Sequence, residues 1–182
     1  MKPAVVVDTN VAVVANNRRG KSQPSLCCVQ ACANRLLQIQ QSGRVAIDNC
    51  WLIIREYRNN LNDSGEPGIG DRFLKWVLTN RNNLTRCEQV HVTLIESDEE
   101  NFEEFPADEA LLKFDRSDRK FVAVALAHPQ HPPIIAALDT DWWVAQEALN
   151  QNGVKIDFLC PNDLEQLQAA KDQRAQRRKR RA

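Results

Sequence analysis

Short, continuous apolar runs alternate along this chain with longer stretches in which apolar residues recur at helical spacing. The clearest runs are AVVV at residues 4–7 and IIAAL at residues 134–138. A continuous apolar run is typical of a strand buried on both faces, as in a parallel sheet. The alternation of such strands with helices predicts an α/β fold built around that sheet.

Capping residues and chain breakers set the expected boundaries of these elements. We expect strands at residues 4–8, 44–48, 90–95, 134–138 and 154–159. We expect helices at residues 10–16, 24–41, 49–62, 71–81, 118–127 and 142–150, and a last helix that begins near residue 161. Residues 65–70, rich in glycine and proline, are expected to form a loop.

Acidic residues accompany four of these elements. Asp8 directly follows the first strand, and Asp139 and Asp141 follow the strand at residues 134–138. Glu56 and Asp118 fall on two predicted helices. In an alternating β/α chain, the carboxyl ends of parallel strands meet at one edge of the sheet, where ligands bind. We therefore expect these acids to converge there.

Two of the acids also have a plain structural interpretation. Ser117 is a good N-cap, and Asp118 in the first helical turn would interact favourably with the helix dipole. Glu56, between Arg55 and Arg58, suits the solvent-facing side of a helix. Taken alone, neither acid would indicate a functional site, so the prediction depends on all of them meeting.

Clustered carboxylates cannot all ionise in proximity without a compensating cation. Oxygen ligands select hard ions, so the expected cofactor is Mg²⁺ or Mn²⁺. These ions keep part of their coordination shell for water and phosphate, which makes a phosphodiester the natural substrate. One ion would activate water for in-line attack. That ion, or a second one about 3.5–4 Å away, would stabilise the leaving oxygen.

Four ordered motifs strengthen this interpretation: VVVDTNV at 5–11, the EY of REYRNNL at 55–61, SDRKFVAVAL at 117–126 and LDTDWW at 138–143. In order and spacing, over residues 4–160, the chain resembles the PIN-domain family of ribonucleases. The resemblance implies a three-layer α/β/α fold with a central parallel sheet and a magnesium or manganese site.

The resemblance also implies roles for individual residues. It carries over four acids as the catalytic set: Asp8, Glu56, Asp118 and Asp139. It assigns the metal to Asp8, Asp118 and Asp139, with Asp141 as a further ligand or water-positioning acid. Asn10 matches the small polar residue that supports the first Asp, and Thr140 is expected to orient the site from a loop.

The domain division follows the same resemblance. Residues 1–160 are the expected PIN-like nuclease domain, with an insert-like, acidic segment at 65–114, and residues 161–182 form a C-terminal helix and basic tail. The acidic segment and the tail depart from the compact toxins of the family. The expected role is thus either the toxin of a toxin–antitoxin pair, with an antitoxin as partner, or an RNA-processing nuclease within a larger assembly. Relatives often form homodimers.

Charge is distributed unevenly along the 182 residues, although the net charge is zero. Residues 171–182 hold seven basic residues and one acid, a net charge of +6, which leaves −6 for residues 1–170. Such a tail suits contact with nucleic acid or an acidic partner, or else a solvated helix end. The expected nucleic-acid-binding residues are Arg18, Arg19, Lys21, Arg119, Lys120, Arg177, Arg178, Lys179, Arg180 and Arg181.

Residues 96–109 hold eight acids and are expected to form a solvated loop or helix face. Because such a segment would repel nucleic acid, we expect it to lie away from the substrate groove.

Composition and the cysteines indicate the compartment. Hydrophobic residues make up 43% of the chain and charged residues 26%, which is typical of a globular protein. No basic region precedes the apolar N-terminus, and no apolar run could span a bilayer, so we expect a cytoplasmic protein. The six cysteines form no CxxC pair and are interpreted as small buried side chains in a reducing compartment.

Two other functions were weighed. A haloacid-dehalogenase-like phosphatase also places Asp after an apolar strand but requires a second Asp two residues later, where this chain has Asn10. A catalytically silent PIN-like scaffold would bind RNA without cutting it, but such relatives usually lose acids that this chain retains. Single-stranded RNA is the expected substrate, although the sequence does not distinguish it from single-stranded DNA.

Overall fold

A computed structural model describes residues 3–17, 24–96 and 98–180 of the chain. The strands in these ranges are β1 Ala4–Val7, β2 Arg44–Asp48, β3 Cys87–Val90, β4 Leu94–Ile95, β5 Asp98–Phe102, β6 Ile134–Ala136 and β7 Ile156–Phe158. The α-helices are α1 Thr9–Ala15, α2 Leu26–Ser42, α3 Leu52–Asn60, α4 Ile69–Asn80, α5 Arg119–Ala127, α6 Thr140–Gln151 and α7 Pro161–Lys179. Short 3₁₀ helices lie at Glu109–Leu111 and Arg116–Asp118.

Five strands form the central sheet in the order β3-β2-β1-β6-β7, and every neighbouring pair is parallel. The chain moves outward from β1 in one direction through β2 and β3, then returns to the other side of β1 through β6 and β7. The order therefore reverses between β1 and β6, where the carboxyl ends of the strands open a crevice suited to ligands.

Helices cover both faces of this sheet. On one face, α1, α2 and α4 pack against one another. On the other, α5 packs over β1, β2 and β6, and fully buried Trp142 of α6 contacts Phe114 and Phe121 edge-on. The predicted three-layer α/β/α architecture with a central parallel sheet is confirmed.

Helix α4 approaches α1 closely because of a glycine. A Cβ atom on Gly70 would lie 2.0 Å from the carbonyl oxygen of Ala12, so a larger residue would force the two helices apart. Buried Asp71 accepts a hydrogen bond from the Gly68 backbone (3.1 Å) and closes the first turn. The helix thus begins two residues before its predicted start, inside the expected loop.

The strand predicted at residues 90–95 is wrong in its extent. The sheet strand β3 ends at Val90, where the Asn49 side chain accepts the backbone N–H of Val92 (3.0 Å). The chain then leaves the sheet, and β4 pairs antiparallel with β5, a hairpin outside the main sheet. Part of the acidic segment at 96–109, expected as loop or helix, is therefore strand β5.

The interpretation of all six cysteines as unpaired side chains is also wrong. Cys28 on α2 and Cys160, which precedes α7, form a disulfide with their Cα atoms 5.2 Å apart. The Sγ of buried Cys32 lies 3.9 Å from that of Cys160. Cys27 and Cys50 are exposed rather than buried. The disulfide fixes the start of the C-terminal helix to the body of the fold.

The basic tail, as far as the structure describes it, is a continuation of helix α7. Leu164 is buried near its start, whereas residues 169–178 are exposed. Lys171 donates a hydrogen bond to the hydroxyl of Thr140, the first residue of α6. The helices of the described ranges include none with the length and apolar character needed to cross a bilayer.

Candidate functional site

Asp8 stands between β1 and α1, at the crevice where the strand order reverses. Its side chain is 1% exposed, and its Oδ2 atom has no hydrogen-bond partner within the described residues. A buried carboxylate oxygen without a partner costs free energy. This atom is therefore suited to a ligand.

Glu56 reaches the same place from α3. The next residue, buried Tyr57, donates a hydrogen bond from its hydroxyl to the carbonyl oxygen of Val7 (2.5 Å). That bond holds α3 against the end of β1, one residue before Asp8. Asp48 sets the start of α3, because its two carboxylate oxygens accept the backbone N–H groups of Leu52 (2.7 Å) and Ile53 (2.8 Å).

Asp118 comes from the start of α5. The cap in this turn is Asp115, whose carboxylate accepts the N–H of Ser117 (2.9 Å), so the prediction of Ser117 as N-cap is wrong. Asp118 is buried and makes no capping hydrogen bond with its side chain. Helix capping therefore does not account for this acid.

The three acids meet. One carboxylate oxygen from each of Asp8, Glu56 and Asp118 lies within 4.8 Å of the other two. Distances of this size allow a single cation to contact all three side chains. Glu56, expected as a catalytic residue outside the ligand set, thus stands among the best-placed ligands.

Asp139 lies beside this group. One of its oxygens accepts the backbone N–H of Asp141 (2.8 Å), and the other accepts the Asn10 amide (2.9 Å). Both bonds fix the carboxylate at the start of α6. Its negative charge still raises the pKa of Asp8 and of Asp118, which places it within the same electrostatic site.

The other expected supporting residues take different positions. Asp141 is exposed and lines a separate cavity with Lys113 and Val144, so it does not join the three converging acids. Thr140 belongs to α6 rather than to a loop, and its hydroxyl accepts from Lys171. Asn10 lies at the site, where its side-chain amide donates to Asp139 (2.9 Å).

Lys120 is turned into the site rather than outward. It is 7% exposed, forms an ion pair with Glu56, and donates to the carbonyl oxygen of Ser117. Arg119, also expected to bind nucleic acid, donates to Asn101 (2.7 Å) and lies over the ring of Phe105. In this conformation Lys120 is withdrawn from solvent, whereas Arg119 is partly exposed.

Burial and mutual repulsion raise the pKa values of the acids at this site. Burial, with the charges of Asp118, Asp139 and Glu56, raises the pKa of Asp8 well above its usual value. Burial, with the charges of Asp139 and Glu56, raises the pKa of Asp118 to about 8, although Lys120 opposes the shift. Burial is also the main reason why the pKa of Asp139 is raised.

A groove of about 250 Å³ runs past Glu56 and Lys120 between α3 and the β4–β5 hairpin. Glu99 and Glu100 of the hairpin line it, so the expectation that the acidic segment lies away from the site is wrong. Two arginines of this region partly offset the negative charge of the hairpin. Arg55 binds Glu99 (2.5 Å), and Arg116 binds Asp98 and Glu100.

The described basic residues of the C-terminal tail lie on α7 or at its C-cap. Arg177 and Arg178 are exposed on α7, and Arg180 is exposed at its C-cap, while Lys179 ends the helix. Arg18, Arg19, Lys21 and Arg181 lie outside the described residues. Sequence reasoning missed Arg55 at the groove, Arg116 at the hairpin and Lys171 near Asp139. Lys171 belongs to the basic tail that the sequence predicts, but no sequence signal showed where α7 would lie.

The residues present fit Mg²⁺ or Mn²⁺. The donors are oxygens, and three of them are close enough to share an ion. One of the three acids, Asp8, has a buried oxygen with no partner in the part of the chain that the structure describes. A divalent cation would also favour the ionised forms of acids whose pKa is now raised.

No protein-family model matches the chain, and comparisons with curated proteins and with solved structures give no match either. Evidence about function therefore comes from the residues of the chain itself.

Proposed function

We propose that this protein is a nuclease of the PIN type that uses Mg²⁺ or Mn²⁺ to hydrolyse phosphodiester bonds in single-stranded RNA. The observation that carries the proposal is the meeting of Asp8, Glu56 and Asp118 within 4.8 Å, where the buried Oδ2 atom of Asp8 has no hydrogen-bond partner among the residues that the structure describes. Three elements far apart in sequence deliver these acids to the crevice of a parallel sheet. Fold stability alone does not require such an arrangement.

The three acids would hold the cation, and Asp139 would add negative charge from its fixed position. When bound, the cation would activate water for attack on phosphorus and stabilise the leaving oxygen. Asn10 keeps Asp139 in place through its amide, and Tyr57 keeps α3 against the end of β1. The buried walls of the crevice strengthen the interaction between the acids and a cation, because the local dielectric constant is low.

The surroundings of the site are suited to a polyanionic substrate. Exposed basic residues of α7 begin at Lys171, whose ammonium bonds to the residue next to Asp139, and continue to Arg180. A strand whose scissile phosphate lies at the acids could thus follow basic surface away from the site. The four motifs that resemble PIN-domain ribonucleases support the same assignment.

The test is cleavage of labelled single-stranded RNA and DNA of the same sequence, with Mg²⁺, with Mn²⁺ and with EDTA. We expect metal-dependent cutting, faster on RNA. Asp8→Asn should lower the rate by at least about a hundredfold, since it removes a charged ligand. Asp157→Asn, which changes an acid on β7 whose nearest cation is Arg35 at 3.7 Å, is the matched control and should keep full activity.

Two results would contradict the proposal. Cutting that persists in EDTA would exclude a metal-dependent site. An absence of cutting with either ion, together with retained RNA binding, would favour the silent scaffold or an enzyme that acts only with a partner. The phosphatase alternative lacks its second acid, because the Asn10 side chain at that position donates to Asp139.

A further inference from the structure

Lys120 is a buried charged side chain to which the proposed chemistry gives no role. Lysine is rarely buried, and its ammonium loses hydration in such a position unless partners replace it. The partners here are Glu56 and the carbonyl oxygen of Ser117, and Asp118 lies two residues before Lys120. The ammonium thus contacts one of the three acids that would hold a cation.

We infer that Lys120 is the built-in counter-ion of the acidic site, and that a divalent cation takes its place at Glu56 and turns the ammonium into the adjoining groove. The inference rests on the proposed function and deepens it, since it concerns how the same site is loaded.

Charge supports the exchange. Asp8, Glu56 and Asp118 supply up to three negative charges within a small volume, and a single ammonium only partly offsets them. A divalent ion brings twice the charge and can contact several oxygens at once, so it competes well for Glu56. An ammonium so close to the ligands would repel the incoming ion if it stayed.

The geometry gives the released side chain a destination. Lys120 lines the 250 Å³ groove together with Arg55 and Glu56, and its four-carbon stem is flexible. A small rotation of this stem would move the ammonium from Glu56 into that groove. There it would face the phosphates of a strand whose scissile bond lies at the acids. Substrate binding and metal binding would then favour each other.

The first measurement is the Mn²⁺ dissociation constant, obtained by calorimetry at pH 7.5 for the native protein and for Lys120→Met. Methionine keeps much of the side-chain volume and removes the competing charge, so we expect it to bind Mn²⁺ about tenfold more tightly. Lys155→Met is the matched control. It removes an exposed lysine at the start of β7 and should leave the constant unchanged. Thermal melting checks that both variants fold.

The second measurement uses the native protein and does not depend on any variant folding. An amine-reactive reagent labels lysines in proportion to their exposure, and peptide mass spectrometry reports each site. Lys120 should be labelled slowly in EDTA and at least about fivefold faster in saturating Mn²⁺, while Lys155 keeps its rate.

The results separate this inference from the proposed function. A native protein that does not bind Mn²⁺ would overturn both. Native binding that is equal to or tighter than that of Lys120→Met would overturn the exchange alone, as would a Lys120 labelling rate that Mn²⁺ leaves unchanged.

Discussion

Asp8 and Asp48 end adjacent parallel strands and are both buried, yet their surroundings differ. The two carboxylate oxygens of Asp48 accept the first backbone N–H groups of α3. The Oδ2 atom of Asp8 has no hydrogen-bond partner in the described ranges of the chain. A carboxylate whose two oxygens both accept hydrogen bonds needs no further partner, whereas a cation would stabilise the ionised form of Asp8. Whether the carboxylate oxygens accept the N–H groups of the following helix therefore distinguishes a structural acid from one that is available to a ligand.

The pKa of Asp118 leads to a prediction about stability. Burial and neighbouring acids raise this pKa to about 8, whereas the unfolded chain would titrate near the usual value of about 3.9. Between these values the native protein holds a proton that the unfolded chain has lost, so rising pH favours unfolding. We expect the metal-free protein to lose stability from pH 4 to pH 8, by up to about 1.4 kcal/mol per pH unit from this group. Denaturant titrations in EDTA at several pH values measure the slope.

Two comparisons check the cause of that slope. Asp118→Asn cannot ionise, so the slope should be shallower, while Asp157→Asn should match the native protein. Saturating Mg²⁺ should flatten the slope, because the cation favours the ionised acids. A slope that Asp118→Asn leaves unchanged would show that another group is responsible.

Sequence reasoning found the acids because a strand end and a helix start are readable signals. It did not predict the contact of Lys120 with Glu56, because SDRKF places two basic residues side by side at the start of α5. Arg119 turns toward the ring of Phe105, and Lys120 turns toward Glu56. Contacts with residues 14 and 64 positions away decide those directions, and the local pattern does not contain them.

The β4–β5 hairpin is the element that differs most from the sequence-based prediction. Its acids have weak strand propensity, but tertiary contacts override propensity in strands. Arg55 of α3 and Arg116, just before α5, form ion pairs with acids of β5 and so offset the repulsion between those acids. These pairs are about half exposed, so each contributes little to stability and can exchange with solvent ions or phosphates.

The hairpin should therefore weaken nucleic-acid binding. Replacing the three acids of β5 together, by Asp98→Asn, Glu99→Gln and Glu100→Gln, would release both arginines and remove three negative charges from the hairpin, two of them from the lining of the groove. We expect about a three- to tenfold gain in affinity for a single-stranded RNA oligonucleotide, measured in EDTA at low salt by fluorescence anisotropy. The gain should shrink as salt increases, because exposed charges are screened.

A triple variant with the same change of net charge is the control for the hairpin. Glu66, Glu109 and Glu147 are exposed acids outside the hairpin, and their replacement by glutamine should raise affinity much less. An equal gain in the two triple variants would mean that net charge, rather than the position of the hairpin, governs binding.

The connection of α7 to the body could not be predicted, whereas the main sheet could. Apolar strands and the helices between them determine an α/β sheet through local pattern and the handedness of crossovers. Cys28 and Cys160 are separated by 132 residues, and any of six cysteines could have been a partner. Only the assembled fold brings the first turn of α2 to the start of α7, where Ser25 also bonds to Asp163.

The disulfide leads to the last prediction, which concerns the stability of the folded chain. A bond that closes so long a loop removes much of the conformational freedom of the unfolded chain, and its loss typically costs about 2–4 kcal/mol. We expect the double variant Cys28→Ser and Cys160→Ser to lower the free energy of unfolding by this amount relative to the oxidised protein. Denaturant titrations of the two proteins, with and without dithiothreitol, measure the difference.

Reduction should bring the native protein down to the stability of that double variant, whose own stability should not respond to the reductant. The double variant Cys27→Ser and Cys50→Ser is the control, because both of these thiols are exposed and unpaired. Alkylation of the unfolded, unreduced protein should modify Cys27, Cys32, Cys50 and Cys87. Modification of all six cysteines would show that the bond is absent, and α7 would then be held to the body only by noncovalent contacts such as Ser25 with Asp163 and Lys171 with Thr140.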